Sequence, residues 1–190
     1  DIPNTVKKSM AVLSRLDVDI CNLHAAGTKA PADGSLFNDP LLPYQWNLVN
    51  DGQLWNRGFA AGADVNVRDA WTQCTGDPSV IVAVVDEGIF YDHPDLAANM
   101  WHNEGEIFAS PDDNDGNGYA GDYYGYNFVR ESGQVTYSLA ADTGHGSHVA
   151  GCIAAVNNNG VGISSIAGGN NSVPGVKIMA CQIFSGNYVA

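Results

Sequence analysis

Two short stretches of this chain hold the residue types that activate a nucleophile. Asp86 follows the apolar run Val80-Ile81-Val82-Ala83-Val84-Val85, and the segment Asp142-Thr143-Gly144-His145-Gly146-Ser147-His148-Val149-Ala150-Gly151 carries two histidines three residues apart. Carboxylates and imidazoles are the side chains that most often carry general acid–base chemistry. Asp86 alone admits two readings, a cap for the turn at Glu87-Gly88 or a catalytic group. The glycines of the second stretch are costly, at roughly 1 kcal/mol each inside a helix. That cost makes sense where another backbone or a ligand comes close. His145, flanked by Gly144 and Gly146, reads as accessible, and His148 as a buried, hydrogen-bonded histidine. The same residues allow a rival chemistry, with His145, His148, Asp86 and His93 gathered around a transition metal.

A third stretch has cation chemistry. Asp112-Asp113-Asn114-Asp115-Gly116-Asn117-Gly118-Tyr119 sets side-chain oxygens at 113, 115 and 117, with a glycine next for a sharp turn. This is the first half of a calcium loop, with Asp113, Asp115, Asn117 and Tyr119 as candidate ligands. The bidentate Glu that ends an EF-hand loop would fall on Tyr124, so that ending is missing. An Asx-rich turn is the alternative.

The elements that must position these groups follow from periodicity. Val67, Ala70, Trp71 and Cys74 share one face of a short helix, which Gly76, Asp77 and Pro78 stop. The β-branched run 80–85 predicts a parallel strand covered on both faces, with Asp86 at its carboxyl end, where open α/β sheets bind ligands. Residues 110–122 read as loop. A second helix is expected to start near Gly144, burying Val149, Cys152, Ile153 and Val156, and to end at Asn157-Asn158-Asn159-Gly160. Val176 to Phe184 is a second buried strand. Strand, helix and strand in alternation predict an α/β fold with a doubly wound, mainly parallel sheet.

Composition narrows the partners. With 21 acidic and 8 basic residues the formal charge is −13, which disfavours nucleic acid and an anionic membrane surface. The chain is 45% hydrophobic and 15% charged, which argues against disorder as its general state. Its longest strongly apolar run is too short to span a bilayer. The Asp1-Ile2-Pro3 start carries no signal-peptide pattern. Cys21, Cys74, Cys152 and Cys181 match no zinc spacing; Cys152 and Cys181 read as small buried hydrophobes. Residues 1–36, with Lys7, Lys8, Arg15 and Lys29, read as an arm or the remnant of a pro-segment.

These motifs carry a family resemblance. Ile81-Val82-Ala83-Val84-Val85-Asp86-Glu87-Gly88-Ile89 with His93-Pro94-Asp95-Leu96 resembles the aspartate motif of subtilases, the subtilisin-like serine peptidases. His145-Gly146-Ser147-His148-Val149-Ala150-Gly151 is similar to their histidine motif, with Ser147 in place of Thr, and the Asp-then-His order agrees. The resemblance spans residues 37–190 and begins at Asn38-Asp39-Pro40 and Gln45-Trp46-Asn47-Leu48. It implies a secreted or cell-surface endopeptidase acting on polypeptides, with His145 as general base and Asp86 as its orienting carboxylate. The family's serine motif is absent, since Ser147, Ser164, Ser165, Ser172 and Ser185 all lack its context. The expectation is therefore the N-terminal portion of a catalytic domain, inactive alone, whose nucleophile lies on a C-terminal fragment or the remainder of the same domain. A non-catalytic subtilase-like binding module is the third alternative. The resemblance also implies Ca2+. Asp122 closes the shell of the 113–119 loop, and a thermitase-like site joins Asp39 and Asp95 to the Asn159 side chain and the carbonyls of Val156, Val161 and Ile163.

Overall fold

The computed structural model describes residues 36–52, 60–135, 144–185 and 188–189. Residues 1–35, with Cys21 and nearly all of the stretch read as an arm or pro-segment remnant, lie outside the described residues, as do Asp142 and Thr143.

The β-branched run becomes strand β1, Ile81–Asp86. It pairs in parallel with a second strand, Lys177–Gln182, in a register that sets Asp86 beside Gln182. Between them in sequence lies a three-residue strand, Gly125–Asn127, which pairs in parallel with Lys177–Gln182 from the other side. In chain order these are β1, β2 and β3, and their order in the sheet is β1-β3-β2. The chain is thus α/β with a parallel sheet. Phe184–Ser185 and Tyr188–Val189 form a small antiparallel pair beyond β3. Strand β2 has no alternation in Gly-Tyr-Asn to announce it. Its Gly125, at φ 120°, presses so closely on the Ala180 carbonyl that no side chain fits.

Two helices of the expected kind are present: α1, Val67–Gln73, and α2, His145–Ala154. Helix α1 buries Val67 and Trp71 against Phe37, Leu42 and Leu48, and the Trp71 indole donates to the Ile166 carbonyl at 3.0 Å. Ala70, expected on that face, is exposed, and Cys74 is half-buried at the C-cap. Helix α2 lies on one face of the sheet. There Val84, Ile178 and Ala180 pack with Ile89, Leu96, Met100, Ala150 and Ala154. The opposite face, Ala83, Met179 and Cys181, is covered by Trp101 and Phe128. A fully buried aliphatic such as Ile178 contributes about 1.5–3 kcal/mol, so this core fixes β1 and α2 against each other.

The helix face differs from expectation. The buried residues of α2 are Gly146, Ala150, Gly151 and Ala154, while Val149 and Ile153 are half-buried and Cys152 is exposed. Small residues take the inner stripe because the helix runs close to the end of β1, and larger ones are displaced to its flanks. Val156 is buried, but beyond the helix end. Burial as a small hydrophobe therefore holds for Cys181, whose thiol it pushes up to about 11, and not for Cys152. Coverage of β1 on both faces also stops short of its end, since Val85 is 42% exposed.

Candidate active site

The carboxyl end of β1 and the amino end of α2 meet at Asp86 and His145. Gly144 caps the helix at φ 80°, a conformation that suits glycine. At Gly146 a Cβ would stand 2.6 Å from the Glu87 carbonyl oxygen and 2.7 Å from that of Gly88, so only glycine lets the helix come this near. Ser147 adds a tie, its Oγ accepting the Phe90 N–H at 2.9 Å. The sequence-level reading of closely approached glycines thus holds at Gly146.

His145 Nδ1 lies 2.8 Å from Oδ1 and 2.9 Å from Oδ2 of Asp86. A carboxylate only accepts, so Nδ1 carries the proton and Nε2 keeps its lone pair. The ring is 63% exposed and Asp86 17%, which makes His145 accessible, as expected. Asp86 Oδ1 also accepts the Glu87 N–H at 2.7 Å. The Asp86 hydrogen bond, then its charge, hold the His145 imidazole above its ordinary pKa, with a smaller contribution from Glu87. Glu87, read from sequence as part of a bend, accepts the His145 backbone N–H at Oε2, 3.0 Å away.

His148 is exposed, not buried, and its Nδ1 stands 4.0 Å from Cys152 Sγ. It projects from the helix flank, one turn on from a residue whose inner neighbours are glycine and alanine. His93 Nδ1 accepts the Asp95 N–H at 3.2 Å and its ring packs against Phe90. Among the described residues, those whose ligand atoms approach one another closely enough to share a metal are Glu106, Asp113 and Asp115, so His145, His148, Asp86 and His93 do not converge. Ser164 and Ser165 are fully buried, donating to Asp39 and to the Ala155 carbonyl.

The acidic loop is built around Glu106, a residue that motif spacing did not single out. Its Oε1 accepts the N–H groups of Asn114 at 2.8 Å and Asp115 at 3.3 Å, while Oε2 is buried without a hydrogen-bond partner. Glu106, Asp113 and Asp115 offer carboxylate oxygens within 4.8 Å of one another. Asp122 joins them through Asn103 at 2.7 Å and Asn117 at 3.2 Å. Burial raises the Asp122 pKa, and the charges of Asp115 and Glu106 add to that shift. Tyr119 donates its N–H to Asn117 Oδ1 at 2.7 Å. An all-oxygen set with an orphaned buried carboxylate oxygen fits a hard divalent cation. The motif spacing missed Glu106 because it lies ahead of the loop, eight and nine residues before the Asn114 and Asp115 N–H groups it accepts.

Asp39, Asp95 and Asn159 also meet, in a buried knot. Asp39 accepts the N–H groups of Asn158 and Asn159 and the Ser164 hydroxyl. Asp95 accepts Asn159 Nδ2 at 2.8 Å and the Ile163 N–H at 3.0 Å, and burial raises its pKa. Val161 donates its N–H to Asn159 Oδ1 at 2.7 Å, and Val156 donates its own to the Asp95 carbonyl at 2.8 Å. All four carboxylate oxygens thus carry a hydrogen bond. Asn159 turns its nitrogen, not its oxygen, to Asp95, so the knot suits a cation only with that amide reversed.

The Peptidase_S8 description, subtilase family, matches residues 77–189, more than half of the chain. The chain belongs to the subtilase family. It is 36% identical over 146 residues to subtilisin-like protease 1 of Plasmodium vivax, which covers 76% of this chain and 20% of that protein. It is 37% identical over 124 residues to the halolysin-like extracellular serine protease Nep of Natrialba magadii, covering 65% and 19%. Among solved structures, a serine protease of Aeromonas sobria in complex with a chaperone superposes with a TM-score of 0.56 at 27% identity. That match covers 88% of this subtilase chain and 25% of the other. The chain spans about a fifth of the length of the curated relatives it matches. Among the described residues, no helix is long and apolar enough to cross a membrane.

Proposed function

We propose that this chain supplies the aspartate and histidine of an Asp-His-Ser triad to a secreted, calcium-dependent serine endopeptidase, with the nucleophilic serine outside residues 1–190. Residues 37–190 are then the N-terminal portion of the catalytic domain, and the remainder of that domain is the partner they need. The observation that carries this reading is the Asp86–His145 pair, with both carboxylate oxygens within 2.9 Å of Nδ1 and the ring otherwise exposed. In this mechanism His145 Nε2 takes the proton of the serine hydroxyl as it attacks the peptide carbonyl. It then returns that proton to the leaving amine. Asp86 holds the tautomer and stabilises the imidazolium without being protonated.

Calcium belongs to the proposal at two places. At the loop, Asp113, Asp115, Asn117, Tyr119 and Asp122 would hold it together with Glu106, and the orphaned Glu106 oxygen supports this. At the knot, Asp39, Asp95 and Asn159 with the Val156, Val161 and Ile163 carbonyls would hold it once the Asn159 amide has turned. Bound there, the ion neutralises crowded carboxylates and ties loops that brace β1 and α2. The extracellular setting is supported by the halolysin-like relative.

Casein hydrolysis by the complete protein tests the reading. Inhibition by a serine-directed fluorophosphonate, with no loss of activity to a zinc chelator, is the expected result. Loss to the zinc chelator alone would establish the metallohydrolase. No hydrolysis by the complete protein, with no fluorophosphonate reaction, would leave a binding module.

A further inference from the structure

Gly144, at the N-cap of α2, has no side chain to accept a first-turn N–H. An acceptor comes instead from 58 residues away: Glu87 Oε2 takes the His145 N–H at 3.0 Å. The same residue's carbonyl oxygen is one of the two against which Gly146 packs. Its N–H in turn donates to Asp86 Oδ1. Glu87 therefore touches the backbone of the base, the helix behind the base, and the carboxylate that orients the base.

We infer that Glu87 is a positioning residue for the general base: its side chain caps α2 through the His145 N–H while its backbone sets Asp86 and supports Gly146. This rests on the reading of His145 as the base. The cap fixes where the helix starts relative to β1, and so where the imidazole stands against Asp86. A carboxylate at a helix N-terminus also complements the helix dipole. It places a second negative charge beside the imidazole and so favours the protonated ring. Among the described residues, the ionisable groups bearing on the ring are Asp86 and Glu87, both at the end of β1. On α2 the other ionisable groups are His148 and Cys152, on its exposed side. From β3, Lys177 lies at the far end of the sheet, its Nζ donating to the Ala98 carbonyl, and Cys181 lies on the opposite sheet face.

Two substitutions separate cap from charge in the complete protein. Glu87→Gln keeps an acceptor oxygen and removes the charge; Glu87→Ala removes both. For Glu87→Gln the expected kcat/KM plateau lies within about threefold of wild type. Its acid-limb midpoint falls by about half a pH unit, the size expected for one nearby charge screened by water. Glu87→Ala shows the same shift and a fall in kcat of about tenfold with KM little changed. Unchanged midpoints in both variants, or an effect confined to KM, would overturn the assignment. If Glu87→Ala does not fold, the Glu87→Gln midpoint alone decides. The NMR titration of the His145 ring, assigned by its loss in His145→Ala, reads the same midpoint without turnover. It therefore still tests Glu87 if the complete protein hydrolyses no peptide, an outcome that would sink the protease reading alone.

Discussion

Adding one methyl group at Gly146 tests whether close packing of α2 on β1 is what brings the dyad together. In Gly146→Ala the new Cβ would stand 2.6 Å and 2.7 Å from the carbonyl oxygens of Glu87 and Gly88. An ordinary contact needs about 3.4 Å, so helix and turn must part by roughly 0.8 Å. Both obstacles are backbone, and no side chain can rotate away to relieve them. Overpacking of this kind costs about 1–3 kcal/mol. Alanine's better helix propensity returns at most about 1 kcal/mol, and less at the second residue of the helix. The net expectation is destabilisation by about 1–2 kcal/mol. The same displacement stretches the 2.8 Å and 2.9 Å contacts of His145 with Asp86 out of hydrogen-bond range. A misplacement near 1 Å lowers kcat/KM by about 100-fold. Urea denaturation and peptide hydrolysis by the complete protein measure the two effects. A variant as stable and active as wild type would refute the close-approach account of this glycine.

Four other outcomes follow from the geometry. Asp86→Asn should lower kcat by about 10⁴-fold with KM little changed, because the amide no longer holds the Nδ1–H tautomer; steady-state kinetics reads this. The acid limb of kcat/KM should lie above about pH 6.5, because Asp86 raises the His145 pKa and the base works only when neutral. By the same shift, the stability the pair contributes is full below about pH 6.5 and is lost as pH rises through the raised value, which pH-dependent unfolding would show. Glu106→Gln should weaken calcium binding at least about tenfold by calorimetry; unchanged affinity would remove Glu106 from the site.

The dyad was legible in the sequence because both residues sit at ends of elements with strong local signals. The β-branched run announces β1 and hence its exit at Asp86, and glycines on both sides of His145 announce a close approach. What escaped was set by tertiary distance. Glu87 meets the His145 N–H across 58 residues, and Glu106 meets Asn114 and Asp115 through folding of the loop. Helix α2 misled for a related reason. Apolar spacing nominated Val149, Cys152 and Ile153 for the inner face, but the approach to β1 admits only Gly146, Ala150, Gly151 and Ala154. His148 lies on the exposed side of the same helix. Strand β2 was invisible because three residues carry no period, and its Gly125 is dictated by the Ala180 carbonyl.

The central claim is that residues 1–190 contribute the base and its carboxylate but not the nucleophile. Labelling the complete protein with a fluorophosphonate and mapping the labelled peptide tests it most directly. The expected label sits on a serine outside residues 1–190 and disappears in His145→Ala. A label on any serine within residues 1–190, or one that survives the loss of His145, would contradict it.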